Sequence, residues 1–173
     1  RRAGDVMISA LQSVSGIRRK DGSLESLIFT LRDVTERNRA ERELNRLGRI
    51  IDESPNEMYM FDAQSMRFTV VNASARRNLG YTTEELRTLT PLDIKPGFTP
   101  ESFALLVAPL QAGKRESILF ETNHRRKDAS LYPVEVRLHL SETSVPPIFV
   151  AIIQDISARR QFESRMLQSE KLS

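Results

Sequence analysis

Hydrophobic and polar positions follow two periods along this chain, and the switches between them mark its elements. From Val6 to Asp33 two apolar runs, Val6–Leu11 and Leu27–Leu31, flank the turn Lys20-Asp21-Gly22-Ser23, where Asp-Gly favours a tight reversal. They predict a hairpin, and two strands alone are marginal in water, so it needs a partner surface. From Thr35 to Ser54 the chain turns polar and charged, and Ala40, Leu44, Leu47 and Ile51 recur at spacings of four, three and four. That is the narrow stripe of a helix that packs on a domain or pairs with a second copy. Ser54-Pro55 ends it, because the residue before a proline avoids the helical region.

Beyond Glu57 strands take over. Met58–Phe61 and Phe68–Val71 are separated by the turn-like Asp62-Ala63-Gln64-Ser65. Asn72–Glu85 then predicts two short helices broken at Gly80, with Thr82-x-x-Glu85 as a capping box. Thr99-Pro100-Glu101 opens a longer helix, Pro100–Ala112, with Phe103, Leu106, Val107 and Leu110 on one face and Gly113 as its stop. Three strands follow. Ile118–Arg125 places Ile118, Phe120 and Thr122 on one side. Tyr132–Leu140 turns Val134, Val136, Leu138 and Leu140 inward and Glu135, Arg137 and His139 outward. Ile148–Ile153 is apolar on both faces, the pattern of a central strand covered on both sides. A polar helix from Ser157 to Lys171 carries Phe162 and Met166. Strands grouped around a helical middle imply an antiparallel sheet with helices over one face, an α+β domain.

Composition removes several chemistries. The 173 residues contain no cysteine, which excludes disulfides, thiolate metal sites, cysteine nucleophiles and any cofactor tethered through sulfur. It also fits a reducing compartment, and a cytoplasmic location is expected. No apolar run is long enough to cross a bilayer as a helix, and no signal-peptide pattern opens the chain. The chain begins at Arg1 rather than Met, so a piece cut from something longer is expected. Net charge is only +3. The basic clusters Arg18-Arg19-Lys20, Arg125-Arg126-Lys127 and Arg159-Arg160 are scattered and lack interleaved aromatic residues, so they are read as solvated turns and helix ends rather than a nucleic-acid surface. No nucleophile and base pair up, no glycine loop could cradle phosphate, and no metal spacing is present. No catalytic residue is assigned. His124 and His139, the two histidines, are read as ordinary surface residues on strands.

One junction occurs twice. Leu27-Ile28-Phe29-Thr30-Leu31-Arg32-Asp33-Val34-Thr35 and Phe149-Val150-Ala151-Ile152-Ile153-Gln154-Asp155-Ile156-Ser157 are each an apolar strand, then Asp, an aliphatic residue and a hydroxyl, followed by a charged helix. The repetition suggests tandem modules. The second module resembles a PAS domain. Asn72–Leu86 is similar to the family's segment after its second strand, Phe120–Ser130 to its late hairpin, and Asp155-Ile156-Ser157 to its Asp-aliphatic-Thr exit motif, with Ser in place of Thr. Ala129 stands where the family usually has Gly, which argues against a positive φ at that turn.

The resemblance implies a five-stranded antiparallel sheet with flanking connector helices. Residues 1–34 would be the last hairpin of a preceding PAS domain, 35–54 an inter-domain connector helix, 55–157 the PAS domain, and 158–173 the start of an output connector. It implies a sensory module of a bacterial signalling protein such as a histidine kinase or diguanylate cyclase, without enzymatic activity in this chain. A small ligand would sit between sheet and helix, lined by Phe103, Leu106, Phe120, Val136 and Ile153, though that apolar set serves equally as a filled core. Asp155, Ile156 and Ser157 would relay the change to the output helix. Without ligand, the chain would act instead as a homodimerising relay through Ala40, Leu44, Leu47 and Ile51. Thiol-linked flavins and chromophores are excluded by composition, and haem is not expected because Pro100–Ala112 has no histidine. The cofactor stays unknown, and the expected partners are a second copy and the neighbouring PAS and output domains.

Overall fold

The computed structural model describes residues 8–171. The chain divides between Arg49 and Ile50 into two units. In the first, strands β1 (Ala10–Arg18) and β2 (Leu24–Asp33) pair antiparallel, and helix α1 (Thr35–Glu53) begins. Gly22 takes the left-handed φ of 87° that closes the turn, and Asp21 accepts the Ser23 amide at 2.9 Å. The first strand therefore starts and ends later than the run Val6–Leu11 predicts, and Val6 and Met7 lie outside the described residues. The turn fixes the register, so Gln12, Ser13 and Ser15 are drawn into the ladder opposite the apolar second strand despite their polarity. Leu11, Val14, Phe29 and Leu31 are all exposed.

The second unit is the predicted α+β domain. Strands β3 (Glu57–Asp62), β4 (Phe68–Val71), β5 (Ser117–Arg125), β6 (Leu131–Ser141) and β7 (Ile148–Asp155) form one antiparallel sheet in the order β4-β3-β7-β6-β5. Between β4 and β5 come helices α2 (Ala73–Leu79), α3 (Thr83–Leu86), α4 (Pro91–Ile94) and α5 (Pro100–Gln111), and α6 (Ser157–Lys171) follows β7. Gly80, at φ 79°, ends α2, and the Thr82–Glu85 capping box opens α3. Helix α4 is not among the predicted elements, although Thr90-Pro91-x-Asp93 signals it. Proline sits at the first helical position and the Asp93 carboxylate accepts the Thr90 amide at 2.7 Å. Inward side chains of the sheet, such as Phe61, Val136 and Phe149, form one core with Leu79, Ile94, Phe103 and Val107 of the helices. None of the helices among the described residues is long and apolar enough to cross a membrane.

Two expectations need correction. Strand β7 is central, between β3 and β6, but it is covered on one face only. Phe149, Ala151 and Ile153 are buried, while Ile152 on the other face is 39% exposed, because helices α2–α5 pack on one side. Ala129 does adopt a left-handed φ, at 69°. That conformation costs a non-glycine residue about 1–2 kcal/mol. It is held by the Ala129 amide on the Arg126 carbonyl (2.9 Å) and by Asp128, which accepts both the amide (2.9 Å) and the hydroxyl (2.6 Å) of Ser130.

Asn72 binds the domain's entry together. Its carboxamide oxygen accepts the amides of Met58 (2.9 Å) and Ala75 (3.2 Å), pairing with β3 and capping α2. Its amino group donates to the carbonyls of Ile51 (3.0 Å), in the last turn of α1, and Asn56 (2.9 Å), just before β3. The residue is 1% exposed. Asn72→Ala removes the cap and strands several buried backbone groups, so its unfolding free energy should fall by about 2–4 kcal/mol in urea denaturation. A loss under 0.5 kcal/mol would mean that the entry is held elsewhere.

Candidate functional site

The inward parity of three strands carries polar residues to one end of the sheet. On β3 the inward positions are Glu57, Tyr59 and Phe61. On β5 they run Ile118, Phe120, Thr122, His124, and on β6 they begin at Tyr132, which pairs with His124 across the ladder. Glu57 opens β3 opposite Ile153 near the end of β7, so Glu57, Tyr59, His124 and Tyr132 meet inside the same end. His124 is thus fully buried, not a surface residue. The missed signal was the alternation itself, since His124 shares the parity of Ile118, Phe120 and Thr122. His139 is exposed, as its outward parity predicts.

Glu57 is 5% exposed and accepts from three side chains. Tyr59 donates to Oε2 in a short hydrogen bond, Asn78 of α2 donates to Oε1, and Tyr132 donates to the pair of oxygens at 3.0 and 3.1 Å. Burial pushes the Glu57 carboxyl above its ordinary value, those three donors pull it back, and the charge of Asp155 adds a further upward push. Burial, together with the Glu57 charge, raises both tyrosines, so they remain protonated donors.

Proton counting assigns the His124 tautomer. A hydroxyl has one proton, and Tyr132 gives its proton to Glu57, so the Tyr132 oxygen can only accept from His124 Nδ1, 3.5 Å away. Nε2 is then a bare acceptor, buried and without a partner among the described residues. Burial, helped by the charge of Lys95, lowers the imidazole to about 2 and keeps it neutral. Lys95, just past α4, is 3% exposed; its backbone amide donates to the Leu92 carbonyl at 3.3 Å, and its amine has no hydrogen bond or ion pair with the described residues. Burial brings its amine down to about 7, against an upward pull from Glu57. The cluster therefore holds a carboxylate, an amine that titrates near neutrality and an imidazole lone pair. No set of three His, Cys, Asp or Glu among the described residues could hold a metal ion.

The apolar residues predicted to line a ligand cavity do come together. Phe103, Val136 and Ile153 are buried in the common core, with Phe120 and Leu106 half-buried against it, and Phe98 stacks edge-on against Phe103 and Phe120 at 5.8 and 5.7 Å. Ile153 also borders an open cleft of about 470 Å³, whose other walls include Asn56, Glu57, Ser74, Asn78 and Asp155. Glu57 thus has one side toward the interior cluster and another on this cleft.

The exit residues also have defined places. Asp155 accepts the Ser157 amide at 2.8 Å, as Asp33 accepts the Thr35 amide at 2.8 Å, so the repeated sequence junction is also a repeated geometry. Ile156 is buried, and its amide donates to the Pro133 carbonyl at 3.0 Å. Arg159 and Arg160 reach back to Glu121 and Glu135, which face each other across β5 and β6, and bridge what would otherwise be a like-charge pair. The other basic run in this unit is likewise engaged. Arg125 donates to the Asp93 carbonyl, Arg126 lies 4.1 Å over the Tyr132 ring, and Lys127 pairs with Glu85.

A PAS domain family model matches residues 56–158. The PAS domain of an HTR-like protein from Haloarcula marismortui is 26% identical over 70% of this chain and 98% of its own, with a TM-score of 0.62. A PAS domain from a two-component sensor histidine kinase is 19% identical over 67% of this chain and 98% of its own, with a TM-score of 0.56. A domain of a sensory box sensor histidine kinase/response regulator from Geobacter sulfurreducens is 18% identical over 67% and 96%, with a TM-score of 0.57. These last two share the fold. No curated protein matches the chain.

Proposed function

Since the chain belongs to the PAS domain family, we propose that it is a sensory module that binds a small ligand and passes its state through α1 and α6 to an output domain of a longer signalling protein. One observation carries this reading. A buried polar cluster centred on Glu57 borders a cleft at the point where Pro55 and Asn56 enter the sheet and Asp155 leaves it. A ligand that engages Glu57 or Asn78 from the cleft competes for the bonds that hold α2 to β3, and Asn72 at the head of α2 grips the end of α1. Asp155 shares that cleft and bonds the first amide of α6. Similarity to a PAS domain from a two-component sensor histidine kinase and to a domain of a sensory box sensor histidine kinase/response regulator supports the sensory role. In this reading the chain is not itself an enzyme, and its ligand is colourless or a non-covalently held flavin.

The freshly purified protein should carry a compound detectable by absorption or by mass spectrometry after denaturation, or should gain thermal stability from a member of a metabolite panel. A ligand at about 100 times its Kd adds about 2.7 kcal/mol. An empty protein that no metabolite stabilises would contradict the ligand reading.

The exposure of the α1 stripe favours a second reading, a ligand-free dimer that relays signals from neighbouring domains. Leu44 is 69% and Leu47 49% exposed, and Ala40 is exposed too, whereas Ile51 is half-buried. Replacing Leu44 and Leu47 with Asp should convert a dimer to a monomer in light scattering. An unchanged mass would remove α1 as the dimer helix.

A further inference from the structure

Among the described residues β1 and β2 pair only with each other, so both outer edges of the hairpin lack a partner strand. Its two faces differ. Residues opposite each other across the ladder share a face, and the pairs Gln12–Leu31, Val14–Phe29 and Gly16–Leu27 make one face apolar. Leu24 joins it, because the side chains of Leu24 and Leu27 lie over Gly16, 3.0 and 3.7 Å from where a Cβ would stand. The opposite face is mixed, interrupted by Ser13, Ser15, Thr30 and Arg32. Every large residue of the apolar face is exposed, Phe29 at 60% and Leu31 at 69%. A contiguous apolar face on a two-stranded sheet is the mark of a missing cover.

The second unit contains the same hairpin in covered form. Counting back from Asp33 and Asp155, Leu31, Phe29 and Leu27 fall at Ile153, Ala151 and Phe149, which are the core-facing residues of β7. The likeness continues past the strands. The Val34 amide donates to the Ser9 carbonyl at 2.8 Å, as the Ile156 amide donates to the Pro133 carbonyl at 3.0 Å. The Asn38 amide reaches the Val34 carbonyl at the head of α1, as the Arg160 amide reaches the Ile156 carbonyl at the head of α6, both at 2.9 Å. In the second unit β3 and β5 occupy the two outer edges of this hairpin, and α2–α5 pack on its inner face.

We propose that β1 and β2 close a second sheet of the same kind, and that residues upstream in the same polypeptide supply its cover. Those residues provide helices over Val14, Leu24, Leu27, Phe29 and Leu31 and a strand along each free edge. Helix α1 then joins the two sheets. It is headed by Asp33 as α6 is headed by Asp155, and Asn72 holds its last turn, so the state of one sheet can bias the other. The proposal needs no ligand in the cleft beside Glu57, so its failure would leave the ligand reading untouched.

Amide hydrogen exchange over residues 27–31 tests it, in the chain as it stands and in the protein extended upstream by a stretch as long as residues 55–133. Protection in the extended protein should be roughly hundredfold higher and independent of protein concentration. Equal exchange in the two proteins would overturn the proposal. Protection that disappears on dilution would also overturn it, because it would assign the face to a second copy. Phe29→Asp in the extended protein gives a second reading. It should strip protection from the upstream segment as well as from β2, and an upstream segment that keeps its protection would show that it does not pack on this face.

Discussion

A carboxylate inside a domain of this size costs several kcal/mol unless donors surround it, and Glu57 is surrounded. Two tyrosine hydroxyls and the Asn78 amide turn toward it, and each comes from a different part of the fold: Tyr59 from the same strand, Tyr132 from β6, Asn78 from α2. Because Tyr132 spends its one proton on Glu57, His124 must protonate Nδ1 and leave Nε2 bare. Because Asn78 is committed through its amino group, its oxygens are free to accept from Arg126, which in turn lies over the Tyr132 ring. One buried charge therefore orders a helix, a hairpin and a histidine tautomer. The raised carboxyl is a net cost at neutral pH, since a folded-state value above the unfolded one makes ionisation harder in the native domain. Such a cost is expected at a functional position rather than in a core built for stability.

The cluster lies where the chain enters and leaves the sheet. Glu57 follows the end of α1 by four residues, Asn72 holds the Ile51 carbonyl in the last turn of that helix, and Asp155 caps the start of α6. The Arg159–Glu121–Glu135 network then lays the first turn of α6 on the outer face of β5 and β6. Exposed ion pairs of this kind contribute about 0–1 kcal/mol each. They set the direction of the helix more than they hold the fold, and that is the property a relay needs.

Periodicity made the architecture legible. The alternation of β6, the cap at Thr82, the proline at the head of α5 and the glycine stops all act locally, so the succession of strands along the chain and the helical middle could be read from them. The candidate site was far less legible. His124 fits the inward parity of β5, yet its polarity suggested the surface, and no local signal tells that Glu57 and Tyr132, 75 residues apart, share a hydrogen bond. Lys95 was invisible for the same reason, because its burial comes from the packing of α4 rather than from any pattern around it. Ala129 shows the converse failure. A local preference of about 1–2 kcal/mol against positive φ was overridden by the hairpin ladder and by Asp128.

The central claim is that Glu57 is buried, hydrogen-bonded and shifted. A ¹³C titration of the glutamate carboxyls tests it most directly. One resonance should titrate above the ordinary 4.5, and it should move higher still in Tyr132→Phe, which removes a donor to the ionised form. A Glu57 midpoint at or below 4.5 would contradict the account, because it would place that carboxylate in water and leave the cluster without its centre.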